Sequence, residues 1–397
     1  MTTCTICGHS EFETYLSLGK QGASNLYLSE RSRISENKFN LSLGVCKNCG
    51  TIQLIDRLPI DSFRPVDSWL KYNEPEGHLD DLVASLLRLG VIEKSSIVSG
   101  LTYKDESTMS RLKKSGVLGS AVIDYEEIFG ESFFGMETFQ EKYSSTMVVK
   151  KIAEVVGLSD VIFARHIVEH APSASTFLTS VSKLIKPYGF LVLEFPDSTK
   201  IFEKKMYPFV WEEHFSYLSE KSGRHLSNCL GGKVYRTYRY KYRYEDSLVV
   251  VIRKGALNNK SKNTINWLYE TQFDEKVLNS FKLGFDDKKN AWNQKLVSLK
   301  KNHQRIGIFG GGHLSAKFIN FFNLEKFFFC AIDGNEFKVG CFLPGTTIPI
   351  ISPKQCLEKG ISLCITTLSP ESEKAVKKNF SEYFNRGGIF LSAFEDA

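Results

Sequence analysis

Two C-x-x-C-G pairs, Cys4-Thr5-Ile6-Cys7-Gly8 and Cys46-Lys47-Asn48-Cys49-Gly50, constrain this chain more than any other feature. That spacing lets four thiolates close a tetrahedron around one zinc ion, and the glycine after each second cysteine permits a tight turn with its N–H groups aimed at the sulfurs. Four protein ligands leave no open coordination position, so the zinc expected at Cys4, Cys7, Cys46 and Cys49 is structural. A redox pair at each C-x-x-C is the alternative, but nothing nearby reads as a thioredoxin-like βαβ unit. Between the pairs, Leu16, Leu18, Leu26 and Tyr27 offer only a small apolar cluster. Metal binding supplies what so thin a core lacks.

Beyond this ribbon the 397 residues leave room for two or three domains. The longest apolar runs, such as 327–332, are too short to cross a bilayer, and the N-terminus lacks a signal-peptide pattern. Nine cysteines, an odd number, fit a reducing compartment better than a disulfide framework, so a cytoplasmic protein with no membrane partner is expected. A net charge of +6 suits a nucleotide diphosphate as readily as a nucleic acid.

From residue 79 onward the hydrophobic pattern alternates between helix and strand. Leu79, Leu82, Val83, Leu86 and Leu87 share a helical face; strands are predicted at 96–100, 121–124, 160–164 and 189–195, with helices at 107–114 and 175–186 between them. Such alternation predicts a mostly parallel sheet whose ligands lie beyond the carboxyl ends of its strands. Asp124 falls about one βα unit after Gly100, where such folds place a carboxylate on a ribose. Residues 238–244 read Tyr-Arg-Tyr-Lys-Tyr-Arg-Tyr with period two, as an edge strand pairing with 248–252 or as a nucleic-acid surface. After a polar, Lys- and Asn-rich boundary at 256–263, residues 275–303 predict one long or broken helix. A second nucleotide-fold unit begins at Arg305: an apolar strand runs into Gly310-Gly311-Gly312-His313-Leu314-Ser315 and a helix over 316–322, with Asp333 at the spacing of a ribose ligand.

Chemistry concentrates in Trp211-Glu212-Glu213-His214-Phe215-Ser216-Tyr217. An imidazole that titrates near neutral pH beside a carboxylate is a general-base pair, and the surrounding aromatics suggest a lined cleft, although a polar surface helix start would read similarly. Arg165-His166-Ile167-Val168-Glu169-His170 follows a buried-looking strand, and its histidines could be acid/base, substrate-contacting, metal-binding or capping groups. Residues 64–80 are rich in aromatic and polar side chains, as loops around sites often are.

In this order, the C-x-x-C-G pairs, the segment from 160 through Lys186-Pro187-Tyr188-Gly189 to Pro196, Glu213-His214-Phe215-Ser216-Tyr217 and the segment 342–353 around Leu343-Pro344-Gly345 resemble the nucleotide-deoxysugar C-methyltransferases over nearly the whole chain. The resemblance implies an α/β protein: a zinc ribbon at 1–62, a Rossmann-like class I methyltransferase domain at 63–255 and a second Rossmann-like, nucleotide-sugar-binding domain at 256–397. It implies S-adenosylmethionine as cofactor, with Gly100, Thr102, Lys104, Asp105, Asp124, Glu137 and Arg165 around it. It also implies a nucleotide-diphosphate keto-sugar as partner, in a monomer or weak dimer that binds no nucleic acid. Glu213 and His214 would abstract a proton next to the sugar ketone, with Tyr72, His166, His170 or Tyr217 supplying a donor to the oxyanion. Trp211, Gly310, Gly311, Gly312, His313, Ser315 and Asp333 would contact the substrate. Two departures stand out. Ser99-Gly100-Leu101-Thr102-Tyr103-Lys104-Asp105-Glu106 replaces an acidic, glycine-rich E-x-G-x-N-D-G loop, and Trp211 replaces an aromatic that carries a hydroxyl. An enolate that is reprotonated instead of methylated would make the chain an epimerase or isomerase on the same scaffold.

Overall fold

The computed structural model describes residues 2–29, 38–65, 74–133, 135–255, 269 and 271–394. Tyr72 and the boundary at 256–263 lie outside them. The first sheet begins as an antiparallel meander of β1 (Phe12–Gln21), β2 (Phe39–Cys46) and β3 (Ile52–Leu54). β2 buries Leu41 and Leu43 on its way to Cys46, so the strand register sets the height of one metal ligand.

The second sheet carries the predicted alternation. β4 (Val98–Gly100), β5 (Ser120–Val122), β6 (Ser159–Arg165) and β7 (Ile185–Asp197) are parallel neighbours. Helices cover both faces of such a sheet, so its inner strands are apolar throughout: Val161, Ile162, Phe163 and Ala164 are wholly buried. The short β8 (Ser216–Tyr217) returns to the first sheet and pairs with β3 through Ile52 and Tyr217. The ribbon and the middle of the chain are thereby stitched together. β9 (Gly232–Tyr240) and β10 (Asp246–Lys254) complete the second sheet in the order β5-β4-β6-β7-β10-β9, with β10 antiparallel to both its neighbours.

β9 is the edge strand, as its alternating pattern predicts, but it stops at Tyr240 and leaves residues 241–245 as a turn. Asp246 shapes that turn by accepting the Tyr242 N–H at 3.0 Å, while the Tyr242 hydroxyl lies 2.8 Å from His78 Nδ1.

The third sheet is wholly parallel: β11 (Ile306–Phe309), β12 (Phe328–Ile332), β13 (Ile350–Ile351), β14 (Leu363–Thr366) and β15 (Ile389–Ser392). Its order, β13-β12-β11-β14-β15, places a topological switch point between β11 and β14, where ligands of doubly wound sheets bind. The expected helix at 275–303 is one unbroken element, Glu275–Leu299, which buries Phe281, Trp292 and Leu296 in a core shared with the first and third sheets. Among the described residues no helix is long and apolar enough to cross a membrane.

Candidate active site

At the ribbon, Cys4 and Cys49 Sγ are 3.5 Å apart and Cys7 and Cys46 Sγ 3.6 Å apart, and all four sulfurs lie within 4.8 Å of one another. Tetrahedral zinc with bonds of about 2.3 Å separates its sulfurs by about 3.8 Å, so the four thiolates fit the ion. Gly8 and Gly50 adopt φ of +74° and +75°, the left-handed turn that the motif requires. Their N–H groups donate to the carbonyls of Cys4 and Cys46, not to sulfur; it is the Cys7 N–H that faces a thiolate, 3.5 Å from Cys4 Sγ.

A cavity of about 250 Å³ lies where the strand ends of the second sheet meet the glycine turn of the third. Glu213 and His214 form its floor, His166 and His170 one wall, His313 and Leu314 another, and the 242–247 turn a third. The stretch 211–217 is therefore a buried crossing segment and not a surface helix start; only His214 in it is partly exposed. The rings of His214 and His170 are 4.9 Å apart, and Trp211 stacks on His313 at 3.9 Å. Burial, with His170 and His313 alongside, holds His214 well below the usual imidazole range, so the ring is neutral. Burial, with Glu137 and Glu212 nearby, pushes Glu213 well above the usual carboxylate range. Asn25 Nδ2 donates to Glu213 at 3.1 Å. Tyr217 points elsewhere: its hydroxyl accepts the Trp211 N–H at 3.1 Å inside the core and does not line the cavity.

Behind the wall stands Glu194, a fully buried carboxylate on β7. It pairs with Arg165 Nε at 2.6 Å and His166 Nε2 at 3.1 Å, and it accepts the Ser247 hydroxyl at 2.8 Å. His166 itself has a φ of +49°, an uncommon conformation for a bulky residue and one often found at functional sites. Burial opposes a charge on His166, but Glu74, Glu169 and Glu194 prevail and raise it to about 10.

Five of the residues expected around a cofactor meet at the ends of β4 and β6. Asp105 Oδ2 accepts the N–H groups of Leu101 and Thr102 at 2.9 and 3.0 Å, Lys104 Nζ pairs with Glu74 at 2.8 Å, and Arg165 Nη1 reaches Glu76 at 3.2 Å. Gly100 makes this possible, since a Cβ there would lie 2.5 Å from that of Asp105. Glu137 lies apart from them, 3.0 Å from His170 Nδ1 in the cavity. Asp124 is exposed and caps the helix Tyr125–Phe129 through the Glu127 N–H.

On the third sheet the glycine turn is held by its own neighbours. Asp333 Oδ2 accepts the Gly311 N–H at 2.8 Å, the Tyr27 hydroxyl donates to the Gly311 carbonyl at 2.8 Å, and Ser315 Oγ donates to the Gly310 carbonyl. Of the expected substrate contacts, Trp211 and His313 line the cavity.

Sequence reasoning missed Glu194, Glu169, Asn25 and Lys317. Glu194 had a signal, a lone carboxylate in the apolar run Leu191-Val192-Leu193-Glu194-Phe195. Lys317, between Ala316 and Phe318 on an apolar helix, had the same kind.

A parallel sheet with one reversed strand beside its edge, a cysteine ribbon before it and a doubly wound sheet after it make an α/β protein. Residues 4–63 match the family model described as "Putative zinc binding domain", and residues 247–394 match the C-methyltransferase C-terminal domain. The chain is similar to the C-methyltransferase NovU of Streptomyces niveus, 22% identical over 98% of this chain and 94% of that protein. Solved structures similar to it include a magnesium protoporphyrin IX methyltransferase from Synechocystis with bound SAH (15% identity, 47% of this chain and 90% of that one, TM-score 0.30). Another is a SAM-dependent methyltransferase from Archaeoglobus fulgidus (12% identity, 44% and 94%, TM-score 0.31).

Proposed function

We propose that the chain removes a proton from the carbon next to the ketone of a nucleotide-diphosphate keto-deoxysugar, and that the resulting enolate is methylated at carbon. The observation that carries this reading is the placement of His214, Glu213, His166 and His170 around one cavity closed by the glycine-turn sheet. His214 is the base, with Glu213 beside it. As the C–H electron pair becomes the new C=C bond, the carbonyl pair moves onto oxygen, where the imidazolium of His166 offers the charge that an oxyanion needs. Trp211 and His313 form an aromatic wall for the sugar. The third sheet's switch point would take the nucleotide, and similarity to a C-methyltransferase supports methylation at carbon.

S-adenosylmethionine, when bound, would supply an electrophilic methyl group. Two buried polar atoms without hydrogen-bond partners, Asp105 Oδ1 and Arg165 Nη2, fit the ammonium and carboxylate of its amino-acid end. Gly100, Thr102 and Lys104 belong to the same loop.

One observation favours a second reading. The backbone donors at Leu101 and Thr102 are already taken by Asp105, and Glu74 holds Lys104 beside them. A loop satisfied by its own side chains would suit an epimerase or isomerase that returns the proton. Incubating the enzyme with nucleotide keto-sugars in heavy water separates the two. A methylated product formed only with S-adenosylmethionine supports methyl transfer. Deuterium uptake with no calorimetric binding of the cofactor at millimolar concentration supports the second reading, and no uptake into any keto-sugar nucleotide rejects both.

A further inference from the structure

Three buried side chains of the metal-ligating kind meet on the cavity wall. One donor atom each from Glu137, His170 and Glu213 lie within 4.8 Å of one another, and all three residues are buried. Glu169, His170 and His214 form a second group within the same limit. These donors come from the helix Met136–Ser144, the turn after β6 and the 212–214 segment, so only the fold brings them together.

Lys104 pairs with Glu74, Arg165 with Glu194 and Glu76, and Lys317 with Glu212. Neither Glu137 nor Glu213 has a lysine or arginine partner among the described ion pairs. Glu169 belongs to the second group, which shares His170 with the first. It is 1% exposed, both its carboxylate oxygens are buried without a hydrogen bond, and its nearest described cation is His166 Nδ1 at 3.6 Å. A buried carboxylate without a hydrogen bond is costly, and a coordinated cation is one way to offset that cost.

We propose that Glu137, His170 and Glu213 bind a divalent metal ion on the cavity wall, separate from the four-cysteine zinc centre. Ligand bonds near 2.1 Å place donors about 3–4.2 Å apart, so small side-chain adjustments from the present spacing suffice. His170 Nδ1 and Glu137 Oε1, now hydrogen-bonded at 3.0 Å, would exchange the proton between them for the ion. Two carboxylates and an imidazole without a thiolate favour a hard to borderline ion of the Mn2+ type, whereas the cysteines suit zinc. Asn25 Nδ2, donating to Glu213, orients that ligand in the manner of outer-shell partners. Three protein ligands leave positions open to the cavity, where a sugar ketone oxygen and a neighbouring hydroxyl could chelate the ion. That use rests on the function proposed above; the binding site does not.

The test is titration of the full-length, zinc-containing protein with Mn2+ alone, following free Mn2+ by electron paramagnetic resonance. One saturable Mn2+ per chain is expected with zinc content unchanged, and Glu137→Gln and His170→Gln should each weaken it at least about tenfold. No saturable binding by the wild-type protein up to millimolar Mn2+, or wild-type affinity in both variants, overturns the site. Deuterium exchange into keto-sugar nucleotides, measured on the same samples, keeps the two ideas apart. Exchange without Mn2+ binding removes only the metal site, and Mn2+ binding without exchange on any sugar removes only the proposed function.

Discussion

Lys317 Nζ lies 2.6 Å from Glu212 Oε2, and the two side chains are 1% and 2% exposed. This ion pair ties the helix His313–Phe322 of the third sheet to the residue before Glu213-His214. Lys317 also donates to the Gly22 carbonyl at 3.1 Å, and the Ser24 N–H donates to Glu212. Three parts of the chain therefore converge two residues before the proposed base. Burial disfavours a charged Glu212, but Lys317 prevails and keeps its carboxyl below the usual range.

Breaking this pair from one side should be costly. Lys317→Met leaves a buried carboxylate without its cation, and a loss of about 3–5 kcal/mol in unfolding free energy is expected from denaturant titration. Removing both charges, in Lys317→Met with Glu212→Gln, should recover much of that loss. A single variant within about 1 kcal/mol of wild type would show that the pair does not hold the two parts together.

Metal analysis of the purified protein should find one zinc per chain at Cys4, Cys7, Cys46 and Cys49. Chelation or Cys46→Ser should release it and lower the melting temperature, because the first sheet has little apolar core of its own. Unchanged zinc content and melting in Cys46→Ser would refute the ribbon as a zinc centre.

His214→Ala should reduce deuterium exchange next to the sugar ketone by about 10²–10⁴-fold while substrate affinity changes little. The binding contacts of the cavity are supplied by other walls. Equal exchange rates in variant and wild type would remove His214 from the base role.

Asp105 makes stability depend on pH in a defined direction. Burial raises its carboxyl from 3.8 to about 7, against the opposing pull of Arg165 and the Leu101 and Thr102 N–H groups. The folded state therefore holds this proton more tightly than the unfolded chain does. The stability gained is full below about pH 4 and lost as pH rises through about 7, on the order of 4 kcal/mol across that window. Asp105→Asn should flatten this part of the pH profile in urea unfolding; an identical profile would show that Asp105 does not carry the proton.

The sequence by itself determined the parts whose physics is local. Cysteine spacing with a following glycine defined the metal ribbon, because coordination geometry allows few loops. Alternating 3.6- and 2-residue periods defined both nucleotide-fold sheets, because each strand and helix must hide one face. The neighbourhood of Glu213 and His214 was visible because the two are adjacent, and both line the cavity.

Tertiary structure alone decided which polar groups face one another. Glu194 reaches Arg165 and His166 only because β6 and β7 are parallel neighbours in register, Arg165 opposite Glu194. Lys317 and Glu212 are 105 positions apart, and neither predicts the other. Tyr217 looked like a site residue beside His214, yet strand alternation and the pairing of β8 with β3 turn its hydroxyl into the core. Asp105, at the ordinary place for a cofactor contact, folds back onto its own loop because Gly100 leaves room for it. Charges act through space over a few ångströms, and sequence distance carries no record of which of them the fold will bring within that range.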